Sequence, residues 1–148
     1  YLPDIKYYSP EISERYSNAP DYFHYASEAV KEMINQTGSL KYNENGGLIK
    51  GTVIRHLVLP NCRHDSMKVM DWIAESINLE QVLVSLMSQY TPFNFIPEKF
   101  PELKRKVTKM EYNSVVQYAE KLGIRGFTQE KSSSDEKYVP DFDLSGIK

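Results

Sequence analysis

The sequence predicts an α/β fold in which parallel strands are joined by crossover helices. Three observations predict it. Strand-like and helix-like apolar periods alternate along the chain. The run Thr52-Val53-Ile54-Arg55-His56-Leu57-Val58-Leu59-Pro60 is almost continuously apolar, as in a strand covered on both faces. The helical stretches end at stop signals such as Gly38 and Gly123.

Taken in order, Tyr1-Leu2-Pro3-Asp4-Ile5-Lys6 reads at once as a strand and has no initiator Met. That beginning predicts a chain cut just upstream, from a larger soluble α/β enzyme. Pro20 and Asp21 lead into a helix with Tyr22, Ala26, Ala29, Val30, Met33 and Ile34 on one face, ended by Gly38. Residues 40–42 and 48–50 flank Asn43-Glu44-Asn45-Gly46-Gly47, which tolerate positive φ and predict a small hairpin. The strand from Thr52 follows. Asp65 or Ser66 is the expected cap of a helix carrying Val69, Met70, Ile73 and Ile77.

A third strand is expected over 82–88. Residues 90–107 form a loop whose Phe93, Phe95 and Phe100 make it too aromatic for a mere linker, so it is expected to lie over something. Thr108 and Glu111 spell a capping box for a helix through Leu122, stopped by Gly123. A fourth, short strand is expected over 124–129, then a flexible loop over 131–137 and a tail over 138–148 that docks through Phe142 and Leu144.

The 148 residues allow one domain, 1–148, and 41% hydrophobic with 26% charged residues is an ordinary composition for burying a core. A net charge of −2 gives no electrostatic case for nucleic acid. Lys104, Arg105, Lys106 and Lys109 are the only basic run, read as a solvated turn. No apolar stretch approaches the roughly 20 residues of a membrane helix. One cysteine, Cys62, excludes an internal disulfide and fits a reducing cytoplasm. Three scattered histidines with that cysteine make no metal-ligand spacing.

In parallel α/β folds the chemistry gathers at the C-terminal ends of the strands. There, Leu2, Asp4 and Lys6 share a face; Arg55 and His56 interrupt an apolar strand; Ser85, Met87 and Gln89 share a face. Two or three charges converging on one end of a sheet suit a zwitterionic or anionic ligand. Each has a plainer alternative: Asp4 and Lys6 as a salt pair, Arg55 and His56 as core groups satisfied by carbonyls, Gln89 as a strand cap.

The segments Tyr1-Leu2-Pro3-Asp4-Ile5-Lys6-Tyr7, Arg15-Tyr16-Ser17, Ile54 to Pro60, Leu86-Met87-Ser88-Gln89-Tyr90 and Leu122-Gly123 occur in one order. Together they resemble the C-terminal half of radical S-adenosylmethionine proteins related to the pyruvate formate-lyase activating enzyme, closest to the branch described as an iron-sulfur homologue of the activator. The resemblance covers nearly the whole chain. It implies a partial, half TIM-type barrel, with S-adenosylmethionine and a [4Fe-4S] cluster held by a Cys-x3-Cys-x2-Cys loop that this chain lacks. It implies reductive cleavage of the cofactor to a 5′-deoxyadenosyl radical, an electron donor, and a glycyl-radical protein as substrate.

The resemblance places the family's Asp-x-Lys on Asp4 and Lys6, as contacts to the ribose and amino-acid portions of the cofactor. It places the Ile-Arg strand on Ile54 and Arg55, with Arg55 on the cofactor carboxylate. Where the activating enzyme has a His, this chain has Gln89, expected on a ribose hydroxyl. Met87 is expected beside the adenine or as core filling, and Cys62 as an unliganded loop thiol. Two other classes stay open: a non-catalytic α/β ligand-binding or regulatory module, and a conventional barrel hydrolase or aldolase, which needs a nucleophile or acid/base pair. Half a barrel leaves edges and an open face, so the chain is expected to self-associate, most simply as a two-fold dimer.

Overall fold

A computed structural model describes residues 1–129 and 136–138. Segment 1–6 is extended and parallel to the strand from Thr52. Arg55 N donates to Pro3 O at 2.8 Å, Ile5 N to Arg55 O at 3.0 Å and Val53 N to Tyr1 O at 3.0 Å, around a single bridge of Asp4 to Arg55.

Helix α1, Pro10–Ser17, was not expected. Pro10 opens it with φ already set, and Asn18 closes it in the left-handed conformation at φ 51°. Among its residues Ser13 alone is fully buried, so it carries no apolar period to read. Helix α2, Tyr22–Thr37, ends as expected at Gly38, whose φ is 67°. It buries Val30 and Ile34, while Ala29, placed on the apolar face by the sequence, is exposed. Strands β1, Lys41–Tyr42, and β2, Leu48–Lys50, form the hairpin. Asn43 makes its turn, with Oδ1 accepting from Asn45 N at 3.0 Å and Gly47 N at 2.8 Å.

Strand β3, Thr52–Leu57, stops three residues short of Pro60, although Val58 N still donates to Met87 O. Helix α3, Arg63–Ser76, begins earlier than expected, with Cys62 rather than Asp65 or Ser66 at its N-cap. Asp65 is instead buried in the first turn, accepting from Tyr8 N and Ser9 N at 2.9 Å each and from the Ser9 hydroxyl. A 3-10 turn, Leu79–Gln81, leads into β4, Val82–Met87, and a second, Pro101–Lys104, ends the aromatic loop. Helix α4, Lys109–Lys121, opens with the expected capping box: Glu111 N donates to Thr108 Oγ1 at 3.1 Å and Thr108 N to Glu111 Oε2 at 2.8 Å. Strand β5, Gly126–Gln129, begins two residues late. Strand β6, Glu136–Tyr138, occupies positions read as flexible loop and tail. The rest of that loop, 131–135, and of the tail, 139–148, lies outside the described residues.

The fold is therefore α/β, with the parallel strands β3, β4 and β5 in chain order, β6 antiparallel at the edge, and the separate hairpin. In register, Thr52, Ile54 and His56 of β3 face the same way as Val82, Val84 and Leu86 of β4, and all six are at most 2% exposed. Ile54 and the three β4 residues join one core with Val30 and Ile34 of α2, Val69, Met70 and Ile73 of α3, and Tyr112, Val115 and Ala119 of α4. The helices thus cover one face. On the other face Val53 and Leu83 are buried, but Arg55, Leu57, Ser85 and Met87 are only half-buried. That difference leaves the C-terminal ends of the strands open on one side.

Candidate functional site

Pleating decides which side chains reach that open face. Asp4, Arg55 and Ser85 lie on one row across the sheet, and Leu57 pairs with Met87 two residues further along. Beyond the strand ends, the chain turns back over this surface. The result is a cavity of about 540 Å³, within the roughly 300–1,000 Å³ of small-molecule pockets.

Asp4, Lys6, Arg55 and Gln89 all line it. They arrive from the extended first segment, from β3 and from just past β4. Ser85 does not line it; Met87 does, with Leu57 and Leu59 as apolar wall. The Asp4–Lys6 salt pair weighed above is replaced by another: Arg55 Nε donates to Asp4 Oδ1 at 2.7 Å. Both partners are about two-fifths exposed, at 43% and 38%, so the pair contributes at most ~1 kcal/mol. Its geometric effect is larger. Asp4 holds the guanidinium by Nε and leaves its two terminal nitrogens without a protein partner among the described residues. Lys6 Nζ likewise has none. One carboxylate against two cations leaves this end of the cavity with an excess of positive charge.

Tyr22 fixes the segment bearing Asp4 and Lys6, a role that its reading as an apolar helix residue missed. Its hydroxyl donates to Asp4 O at 3.1 Å and accepts from Lys6 N at 2.9 Å. Burial, foremost, raises its pKa above the usual phenol value, so the hydroxyl keeps the proton it donates. Tyr7 packs edge-on against the Tyr22 ring at 5.4 Å and also lines the cavity. Tyr90, Thr91 and Phe93 line its other side. The aromatic content of the loop, Phe93, Phe95 and Phe100, was the signal for Phe93, without saying which of its rings would face the cavity.

His56, next to Arg55, points away beneath the helices. Its Nδ1 lies 2.6 Å from Ile5 O and its Nε2 2.8 Å from Ser66 Oγ. A carbonyl only accepts, so Nδ1 carries the proton and Nε2 accepts from the serine. His56 is a satisfied core group, not a cavity residue. Cys62 is 8% exposed, and burial pushes its thiol up to about 11. Among the described residues no three His, Cys, Asp or Glu side chains are placed to hold a metal ion. A protonated, solitary thiol does not fit the three-thiolate requirement of an iron-sulfur cluster.

A second concavity, about 550 Å³, lies at the opposite ends of the strands between Tyr1, Gln36, Ile49 and Val53. Lys50 is its one ionisable side chain besides Tyr1, whose hydroxyl is bonded to Gln36. It lacks the converging charges of the first. No helix among the described residues is long and apolar enough to cross a membrane. Comparison of the chain with protein-family models, curated proteins and solved structures finds no match.

Proposed function

We propose that the cavity at the ends of β3 and β4 binds S-adenosylmethionine. On this reading the chain is the C-terminal part of a radical S-adenosylmethionine protein with partial-barrel architecture, of the kind related to the pyruvate formate-lyase activating enzyme. One observation carries it: four residues chosen from three separated stretches of sequence line a single cavity. Two features favour the barrel. The parallel strands follow one another in chain order, and the helices cover one face only. The antiparallel β6 is a departure at the edge.

The lining fits the carboxylate, ribose and adenine of the ligand, and Asp4 is the one carboxylate of the cavity set against its ammonium and sulfonium. The free end of the Arg55 guanidinium and Lys6 Nζ would take the carboxylate, through two donors and one. Asp4 Oδ2, left open by the bond to Oδ1, would accept from the ammonium or the ribose, and the Gln89 amide would meet a ribose hydroxyl. Leu57, Leu59 and Met87 offer apolar surface to the adenine. The cluster does not fit residues of this chain, whose one cysteine is Cys62, and on this reading its thiolates would come from outside the given sequence. With both groups bound, the chemistry supplied would be hydrogen abstraction, with a glycine of a partner protein as substrate and an external electron donor. The residues of this cavity would bind and orient the cofactor.

Calorimetric titration of the chain tests this. Saturable S-adenosylmethionine binding is expected, weakened about 5- to 150-fold in Arg55→Lys, the equivalent of about 1–3 kcal/mol for a lost charged hydrogen bond. Unchanged affinity removes Arg55 from the site. The second reading, a non-catalytic ligand-binding module, is favoured by one feature: Asp4 is committed to Arg55, and no second carboxylate or nucleophile–base pair faces the cavity. Tight binding of another charged nucleotide, without S-adenosylmethionine binding, would support it.

A further inference from the structure

The chain between β4 and α4 is fastened at both ends of a short strap. At one end Tyr90 Oη donates to Leu103 O at 2.8 Å. At the other, Phe100 meets Tyr16 edge-on at 5.5 Å, lies 5.1 Å from the Arg15 guanidinium, and is flanked by Arg15 Nη2 donating to Lys99 O at 2.7 Å. Residues 91–99 between these points form no helix or strand. Two phenylalanines project from them, Phe93 at 78% and Phe95 at 83% exposure, and neither makes a ring contact among the described residues.

Exposed phenylalanine leaves apolar surface in water without return, and two within three residues form a small patch. Phe93 is also part of the cavity wall. The cavity is thus bipolar. Lys6 and Arg55 stand on the side of the first segment and β3, and a bare aromatic ring stands on the strap. A ligand that satisfies both is charged at one end and flat and apolar at the other. Phosphate or a simple amino acid covers only the charged end. A planar heterocycle covers the phenyl face and removes apolar area from both partners.

We propose that Phe93 is a specificity-determining residue: it stacks on the planar base of the ligand whose charged end engages Lys6 and Arg55. This deepens the reading of the cavity as a nucleoside site and rests on it. Phe95, which does not line the cavity, is not assigned a role.

The test titrates the wild-type chain, Phe93→Ala, Phe93→Trp and Arg55→Lys with S-adenosylmethionine, adenosine and methionine. Because Phe93 is mostly exposed, Phe93→Ala should melt with the wild type, which a thermal scan checks. Phe93→Ala should weaken the two ring-bearing ligands about 5- to 150-fold, the range of one base–aromatic stack. It should leave methionine unchanged, and Phe93→Trp should restore binding. If Arg55→Lys weakens S-adenosylmethionine and Phe93→Ala does not, Phe93 is not the platform and the cofactor assignment stands. If the wild type binds adenosine but not S-adenosylmethionine, and Phe93→Ala loses it, the platform stands and the cofactor assignment falls. If the wild type binds no ring-bearing ligand, both fall.

Discussion

His56 and Arg55 are neighbours in sequence with opposite fates, because successive side chains on a strand point to opposite faces. Arg55 reaches the open cavity; His56 is 1% exposed in the core. Burial is the largest influence on His56 and lowers its pKa below the usual 6.5, outweighing the hydrogen bond to Ile5 and the nearby Asp65 carboxylate, which raise it. The unfolded chain therefore binds the proton more readily than the folded one. Stability from this group is present above pH 6.5 and is lost as pH falls below it toward the folded pKa. Urea denaturation at intervals from pH 8 to 5 should show that decline in the wild type. Asn at position 56 can keep a donor near Ile5 O but does not titrate. His56→Asn is expected to cost about 1–3 kcal/mol at neutral pH and to lose the slope below about pH 6.5. An unchanged slope would assign the pH dependence to other groups.

At the scale of elements, Glu111 ties three pieces of chain together with one carboxylate. It accepts from Thr108 N within the capping box, from Arg105 through Nη1 at 2.9 Å and Nη2 at 2.8 Å, and from Asn61 N at 2.9 Å in the turn after β3. The Arg105 fork, foremost, holds this acid far below the usual carboxylate range, with the Thr108 and Asn61 donors reinforcing it. Glu111→Gln should destabilise by about 2–3 kcal/mol in urea at pH 7, since a buried charged acceptor is lost while Arg105, whose side chain is 44% exposed, is left to water. The folded pKa is depressed, so the difference from wild type should shrink as pH falls below 4.5. A constant difference down to pH 3 would show that shape, not charge, matters. Half of this node was legible in the sequence, because Thr108 and Glu111 stand at capping-box spacing. Asn61 and Arg105 were not, because the fold alone brings them there. The same division runs through the chain. Helices α2, α3 and α4 and strands β3 and β4 advertise themselves by apolar periods. Helix α1 is a polar surface helix known by Pro10 and Asn18, and β6 exists only through its pairing with β5. The cavity's charged side was legible from which residues share a face of their strands. Its aromatic side depends on where a loop without periodicity comes to rest.

For the whole molecule, the outer edge of segment 1–6 predicts self-association. Along the outer edge of segment 1–6, Tyr22 already serves Asp4 O and Lys6 N, but Leu2 N, Leu2 O and Asp4 N have no partner among the described residues. Leu2 is 64% exposed there. At the far side, β6 covers β5 with three residues, and so short a strand gives little to pair with. Two copies meeting edge to edge through their first segments would satisfy the Leu2 groups reciprocally and cover both leucines, the isologous arrangement that a two-fold axis gives. Light scattering after size exclusion at high micromolar concentration is expected to return twice the 17.2 kDa of the chain. Leu2→Lys, which places a charge on the edge, should return the monomer without lowering the melting temperature. The cavity separates this dimer from one in which the open faces meet. An edge-paired dimer leaves the strand ends accessible, so ligand affinity should not change with protein concentration, whereas face-to-face pairing would bury Leu57, Met87 and Phe93 and weaken binding as the dimer fills. A monomer at every concentration would sink both arrangements.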